Sequence, residues 1–106
     1  MKTINVTLFD RAAIRDVLSH DPPHFLDLSK AKAWGFEVRN SCNQPVIVAL
    51  IGGPGGGLTG AGGVVAAGVT EPVITDVWLP RLGLRATYAV APVAGSLSIT
   101  GWLQEE

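Results

Sequence analysis

The sequence predicts an all-β fold, an antiparallel β-sandwich of jelly-roll-like type with one short N-terminal helix, and three observations predict it. Short apolar stretches with period-two alternation recur along most of the chain. Asn, Gly and Pro clusters separate them roughly every ten residues, the spacing of strands in two-layer β domains. Nothing alternates strand with helix in the way a parallel sheet demands. With 47% apolar and 16% charged residues in 106, the chain suits one packed domain over 1–106 and not a disordered tail.

The first strand is read at Ile4, Val6 and Leu8, which alternate with Asn5, Thr7 and Phe9. Asp10 has the chemistry of a helix N-cap. Ile14, Val17 and Leu18 follow at i, i+3 and i+4, so about two amphipathic turns are expected before Pro22 and Pro23 end them. Phe25–Leu28 reads as a short strand and Ser29–Lys32 as a polar connection, making 1–32 an arm, a helix and a link.

From Ala33 to Asn40 the alternation places Trp34, Phe36 and Val38 toward a core and Glu37 and Arg39 toward water. Asn40–Gln44 supplies turn chemistry, and Val46–Ile51 is apolar on both faces. As a hairpin, these two strands would leave Ile47, Ala49 and Ile51 for a second sheet or a neighbouring subunit. Residues 52–63 are dominated by glycine and read as a loop, mobile or pinned by a partner. Val64–Ala67 and Val73–Leu79 read as strands around a Gly68 turn, with Pro72 near a sheet edge. Leu82, Leu84, Ala86, Tyr88 and Val90 share one face of the next strand, and Leu97 and Ile99 alternate with Ser98 and Thr100 before Trp102.

Composition excludes several functional classes. Eight basic and nine acidic residues are spread thinly, so no stripe neutralises several phosphates and nucleic acid is not the expected partner. Cys42 is the single cysteine, which rules out an internal disulfide and a cysteine metal cluster. Met1–Asp10 carries neither a signal peptide nor an apolar run, so a soluble, intracellularly made protein with no membrane partner is expected. The low charge predicts that some apolar surface is covered by another subunit in a homo-oligomer, for which a trimer is the guess.

Each motif that could carry chemistry has a plainer explanation. Gly55, Gly57 and Gly60 match G-x-G-x-x-G with Glu71 and Asp76 downstream, but a dinucleotide needs a helix N-terminus, and here a β pattern follows. The loop also lacks the Gly-Lys-Ser/Thr ending of a P-loop. His20 and His24, with Asp21 and Asp27, have metal-ligand types, yet Pro22 and Pro23 break the helical face that would converge them. Ser19, His20 and Asp21 are adjacent and cannot all address one reacting atom. Cys42, despite Arg39 nearby, reads as a small turn residue or buried thiol, and Glu105 and Glu106 as solvated charge. No catalytic residue, metal ligand or cofactor is therefore assigned. Trp34 belongs to a core face, whereas Trp78 and Trp102 lie opposite their strands' apolar sets and are expected at a ligand platform or a protein interface.

The strings FEVRNSCNQPVIVALIG, VVAAGVTEPVITDVWLP and LRATYAVAPVAGSLSITGWL resemble a group of small β-sandwich proteins encoded in bacteriophage and prophage structural gene sets. The shared features are an Asn turn running through Gln-Pro into an apolar strand, a V-A-A-G turn and a closing A-P-x-x-G-x-L-x-I hairpin. The resemblance runs from Ala33 onward, and the glycine-rich stretch departs from it. It implies a non-enzymatic virion protein, a capsid decoration or accessory module that binds capsid or tail proteins as an assembled lattice. Contact would come from Ile47, Ala49, Ile51, Trp78 and Trp102, with the Met1–Asp10 arm ordering on docking. The alternative is a carbohydrate-binding or adhesion module using exposed tryptophans.

Overall fold

The computed structural model of the chain describes residues 2–53 and 58–106. Among them are eight strands and no helix: β1 (Lys2–Ala12), β2 (Leu26–Asp27), β3 (Ala31–Asn40), β4 (Val46–Gly52), β5 (Leu58–Val65), β6 (Val69–Val73), β7 (Arg81–Thr87) and β8 (Leu97–Glu105). They form two four-stranded antiparallel sheets, ordered β1-β8-β3-β6 and β2-β7-β4-β5. The pairing is nested. β1 pairs with β8, β2 with β7, β3 with β6 and β4 with β5, while β3–β8 and β4–β7 ladders join these ribbons into sheets.

Alternation explains most of the strands. Phe36 and Val38 of β3 and Leu97 and Ile99 of β8 turn inward, and Val46, Val48, Leu84 and Ala86 of the other sheet join them in one buried cluster. Gly101 also faces inward, and a side chain there would meet Leu26 and Leu8.

The expected pairing of β3 with β4 as a hairpin is corrected: these strands lie in different sheets. The chain crosses between them through 41–45, and the fully buried Asn40 organises the crossing. Its amide nitrogen donates to the carbonyls of Gln44 (2.9 Å), Val65 (3.1 Å) and Ala66 (3.3 Å). Its carbonyl oxygen accepts from the Tyr88 hydroxyl (2.7 Å) and the Cys42 N–H (3.3 Å). One side chain thus ties together β3, the crossing, the end of β5 and the residue after β7. Burial pushes the Tyr88 phenol well above its ordinary range, so it is held as a hydrogen-bond donor.

Further expectations change. The helix after Asp10 is absent, because only Ile14 of the i, i+3, i+4 set is buried while Val17 and Leu18 are exposed. The apolar periodicity there has no second surface to pack against. The segment instead lies along β7, where His20 and Ala86 exchange backbone hydrogen bonds of 2.8 and 3.0 Å. Of the Met1–Asp10 arm, the described residues 2–10 are no free arm but most of the edge strand β1. A register shift between Thr7 and Phe9 lets Leu8 and Phe9 both face inward, overriding simple alternation.

Of the glycine loop, 54–57 lie outside the described residues, but 58–63 belong to β5, paired to β4 from Ile51–Leu58 to Val46–Val65. Glycine obscures a strand in sequence because it has no side chain to alternate. The strand expected at Val73–Leu79 is displaced: β6 ends at Val73, and 74–79 form an unpaired strap between the sheets. Val77 and Leu79 of the strap pack on the core. Pro72 does sit in the edge strand β6, as its missing N–H requires. The turn before β6 is closed by Gly68, whose φ of 74° suits glycine.

Candidate functional site

The five residues expected to make contact do not form one patch. Ile47 and Ala49 lie on the outer face of the β2-β7-β4-β5 sheet, Trp78 on the strap, and Trp102 on the outer face of the other sheet. Ile51 requires a correction. It points outward with Ile47 and Ala49 but is only 1% exposed and stands apart from the core cluster. Its cross-strand partner is Gly83, where an added side chain would strike the Phe25 ring and Pro22; Gly53 is likewise capped by Phe25.

The prolines explain that cover. Residues 20–27 run antiparallel to β7, pairing at His20 and again at Leu26 and Asp27. Pro22 and Pro23 have no N–H for a ladder, so the chain between loops outward and folds Phe25 over the sheet. The cover is tethered by side chains. Asp21 accepts two hydrogen bonds from Arg85, at 2.6 and 3.3 Å, which hold its carboxyl below the usual range. The hydroxyls of Ser19 and Thr87 share a hydrogen bond at 3.1 Å. His20 Nε2 lies 2.7 Å from Asp16 Oδ1, a contact that lowers the Asp16 pKa.

These contacts also answer the chemical motifs. His20 and Asp21 engage separate structural partners, and no cluster of three His, Cys, Asp or Glu residues able to hold a metal occurs among the described residues. Cys42 is 2% exposed beside Asn40 and is a buried thiol. Gly55 and Gly57 lie outside the described residues, and Gly60 of β5 pairs with Leu50 of β4. No helix among the described residues is long and apolar enough to cross a membrane.

The outer faces of the two sheets carry the remaining contact residues. On one sheet, Ile47 (43% exposed) and Val64 (61%) are cross-strand partners at the edge formed by β5, with Thr87 the next residue in the row. Sequence reading places Val64 in a strand but misses its pairing with Ile47, because the glycines before it hide the rest of β5. Apart from that pair, the strap exposes Ile74 and Trp78, 69% and 51% exposed, although the Trp78 indole N–H is anchored on Leu28 O at 3.0 Å. On the other sheet Trp102 is partly exposed, and its indole fills the space above Gly35, with Cζ2 2.8 Å from where a β-carbon would sit.

Comparisons with family models, with curated proteins and with solved structures returned no match.

Proposed function

We propose that this chain is a non-enzymatic structural protein of a phage-type virion, a capsid decoration or accessory module of jelly-roll type that binds an assembled protein lattice. Nested pairing of first with eighth, second with seventh, third with sixth and fourth with fifth strands supports the jelly-roll reading. That architecture is used in viral capsid and lectin domains and in cupins, so it narrows the function without choosing it. The observation that carries the choice is the exposed Ile47–Val64 pair at the edge strand β5. Apolar side chains aligned next to free backbone groups form a surface suited to another protein chain.

Lattice binding fits a surface of this modest extent. Contacts too small for a tight isolated complex gain avidity when copies stand side by side, which also favours self-association. Light scattering tests the self-association, with a mass above that of one chain expected and Ile47→Asp reducing it to one. A monomer at millimolar concentration contradicts this part. The reading frames beside this one test the wider proposal: a major capsid or tail gene supports it, and a run of metabolic genes opposes it.

A further inference from the structure

We infer that the outer face of the β1-β8-β3-β6 sheet, centred on Trp102, is a binding site for a neutral glycan. Register places Asn5 and Gly35 on either side of Trp102. The rows above and below bring Thr3 with Gln104, and Thr7 with Thr100 and Glu37. An indole is thus surrounded by Thr3, Asn5, Thr7, Thr100, Gln104 and Glu37, every one bearing an oxygen or nitrogen. Neighbours on such a face stand about 5 Å apart across strands and about 7 Å apart along them, so one sugar ring can meet the indole and several polar groups together.

The chemistry selects the ligand class. Sugar rings present C–H groups on their faces, which pack on an aromatic ring, and hydroxyls at their rims that both donate and accept. Hydroxyl and amide side chains match that dual character. Glu37 and Arg39, both outward on β3, offset one another, so the face favours neither an anionic nor a cationic polymer. A single aromatic among polar groups offers little apolar core for a protein partner.

The other tryptophans do not provide this arrangement. Trp34 and Trp78 each spend the indole N–H on a backbone carbonyl, Val77 O at 3.1 Å and Leu28 O at 3.0 Å. The Trp102 N–H meets no acceptor among the described residues. Packing over Gly35 gives the ring a structural role as well, since an aromatic opposite a glycine fills a gap in a sheet. That role fixes the ring's position, and the ring of polar neighbours supplies recognition.

Affinity electrophoresis of the full chain through gels containing neutral polysaccharides tests the site, using a glucan, a mannan, a xylan and a galactan, with alginate as the anionic control. At least one neutral polymer is expected to slow migration about twofold, the retardation being lost in Trp102→Ala and kept in Trp78→Ala. Asn5→Ala combined with Thr100→Val leaves the indole and Gly35 in place and weakens retardation, which decides the matter should Trp102→Ala unfold. No retardation by any neutral polymer, retardation by alginate alone, or retardation unchanged in the folded variants overturns the inference.

Discussion

Replacing Asn40 by alanine tests how the two sheets are tied together. The substitution removes the acceptor of the buried Tyr88 hydroxyl and the Cys42 N–H, and the donor to three carbonyls, of which the Val65 bond is itself buried. Each intramolecular hydrogen bond contributes about 1 kcal/mol net, and a buried group left unpaired costs about 1–3 kcal/mol. Allowing the exposed carbonyls to find water, the loss comes to about 4 kcal/mol, or roughly 15 °C in melting temperature for a domain of this size. Tyr88→Phe alone should cost about 1 kcal/mol, because Asn40 keeps its other partners. In the Asn40→Ala background the same change removes a hydroxyl that has already lost its Asn40 acceptor, so the double variant should be no less stable than Asn40→Ala alone. Urea denaturation of the four proteins measures the cycle. A loss below about 1 kcal/mol for Asn40→Ala, or an equal Tyr88→Phe cost in both backgrounds, would falsify the account of this network.

Other consequences can be measured independently. Tyr88 is the only tyrosine, so absorbance near alkaline pH reports it alone. Its folded pKa is raised above the unfolded value of about 10, so the unfolded chain loses its proton first and stability should fall as pH rises beyond that point. Ordinary titration of the folded protein with unchanged stability would refute its burial. Asp21 has the opposite sign: its pKa is depressed by Arg85, so that contribution is present above the unfolded value of about 3.9 and is lost on acidification through the lower folded value. Asp21→Asn should speed amide exchange at His20 while leaving core amides protected, and equal exchange at His20 would count against the tether. Gly95→Ala should cost at least about 3 kcal/mol, because φ is 88° and the new methyl would overlap the Ser41 carbonyl oxygen; a near-wild-type melting temperature would contradict that geometry.

The strands with side chains to alternate were legible in the sequence. β3, β4, β7 and β8 follow the expected inward sets, down to Leu82, Leu84, Ala86 and Tyr88, all fully buried. Val90 falls outside because β7 ends at Thr87. Only the Val64–Val65 end of β5 was legible, its glycines hiding the rest, and the apolar spacing of Ile14, Val17 and Leu18 suggested a helix that tertiary pairing with β7 overrides. Strand partners could not be read from local pattern, since Asn40 looks like a turn residue until its five bonds across the fold are seen. The outward direction of Ile47, Ala49 and Ile51 was legible, but the cover on Ile51 comes from a proline excursion distant in sequence. Trp78 is exposed as read, though on a strap, and Trp102 was rightly placed in line with Ser98 and Thr100.

Lattice binding of the kind proposed requires a major capsid or tail protein encoded beside this chain, and co-sedimentation with particles assembled from such a protein addresses it most directly. The wild-type chain is predicted to pellet saturably with the particles, and an Ile47→Asp/Val64→Asp variant, folded by circular dichroism, to stay in the supernatant. Wild-type protein left entirely in solution, or equal pelleting of both proteins, would contradict it.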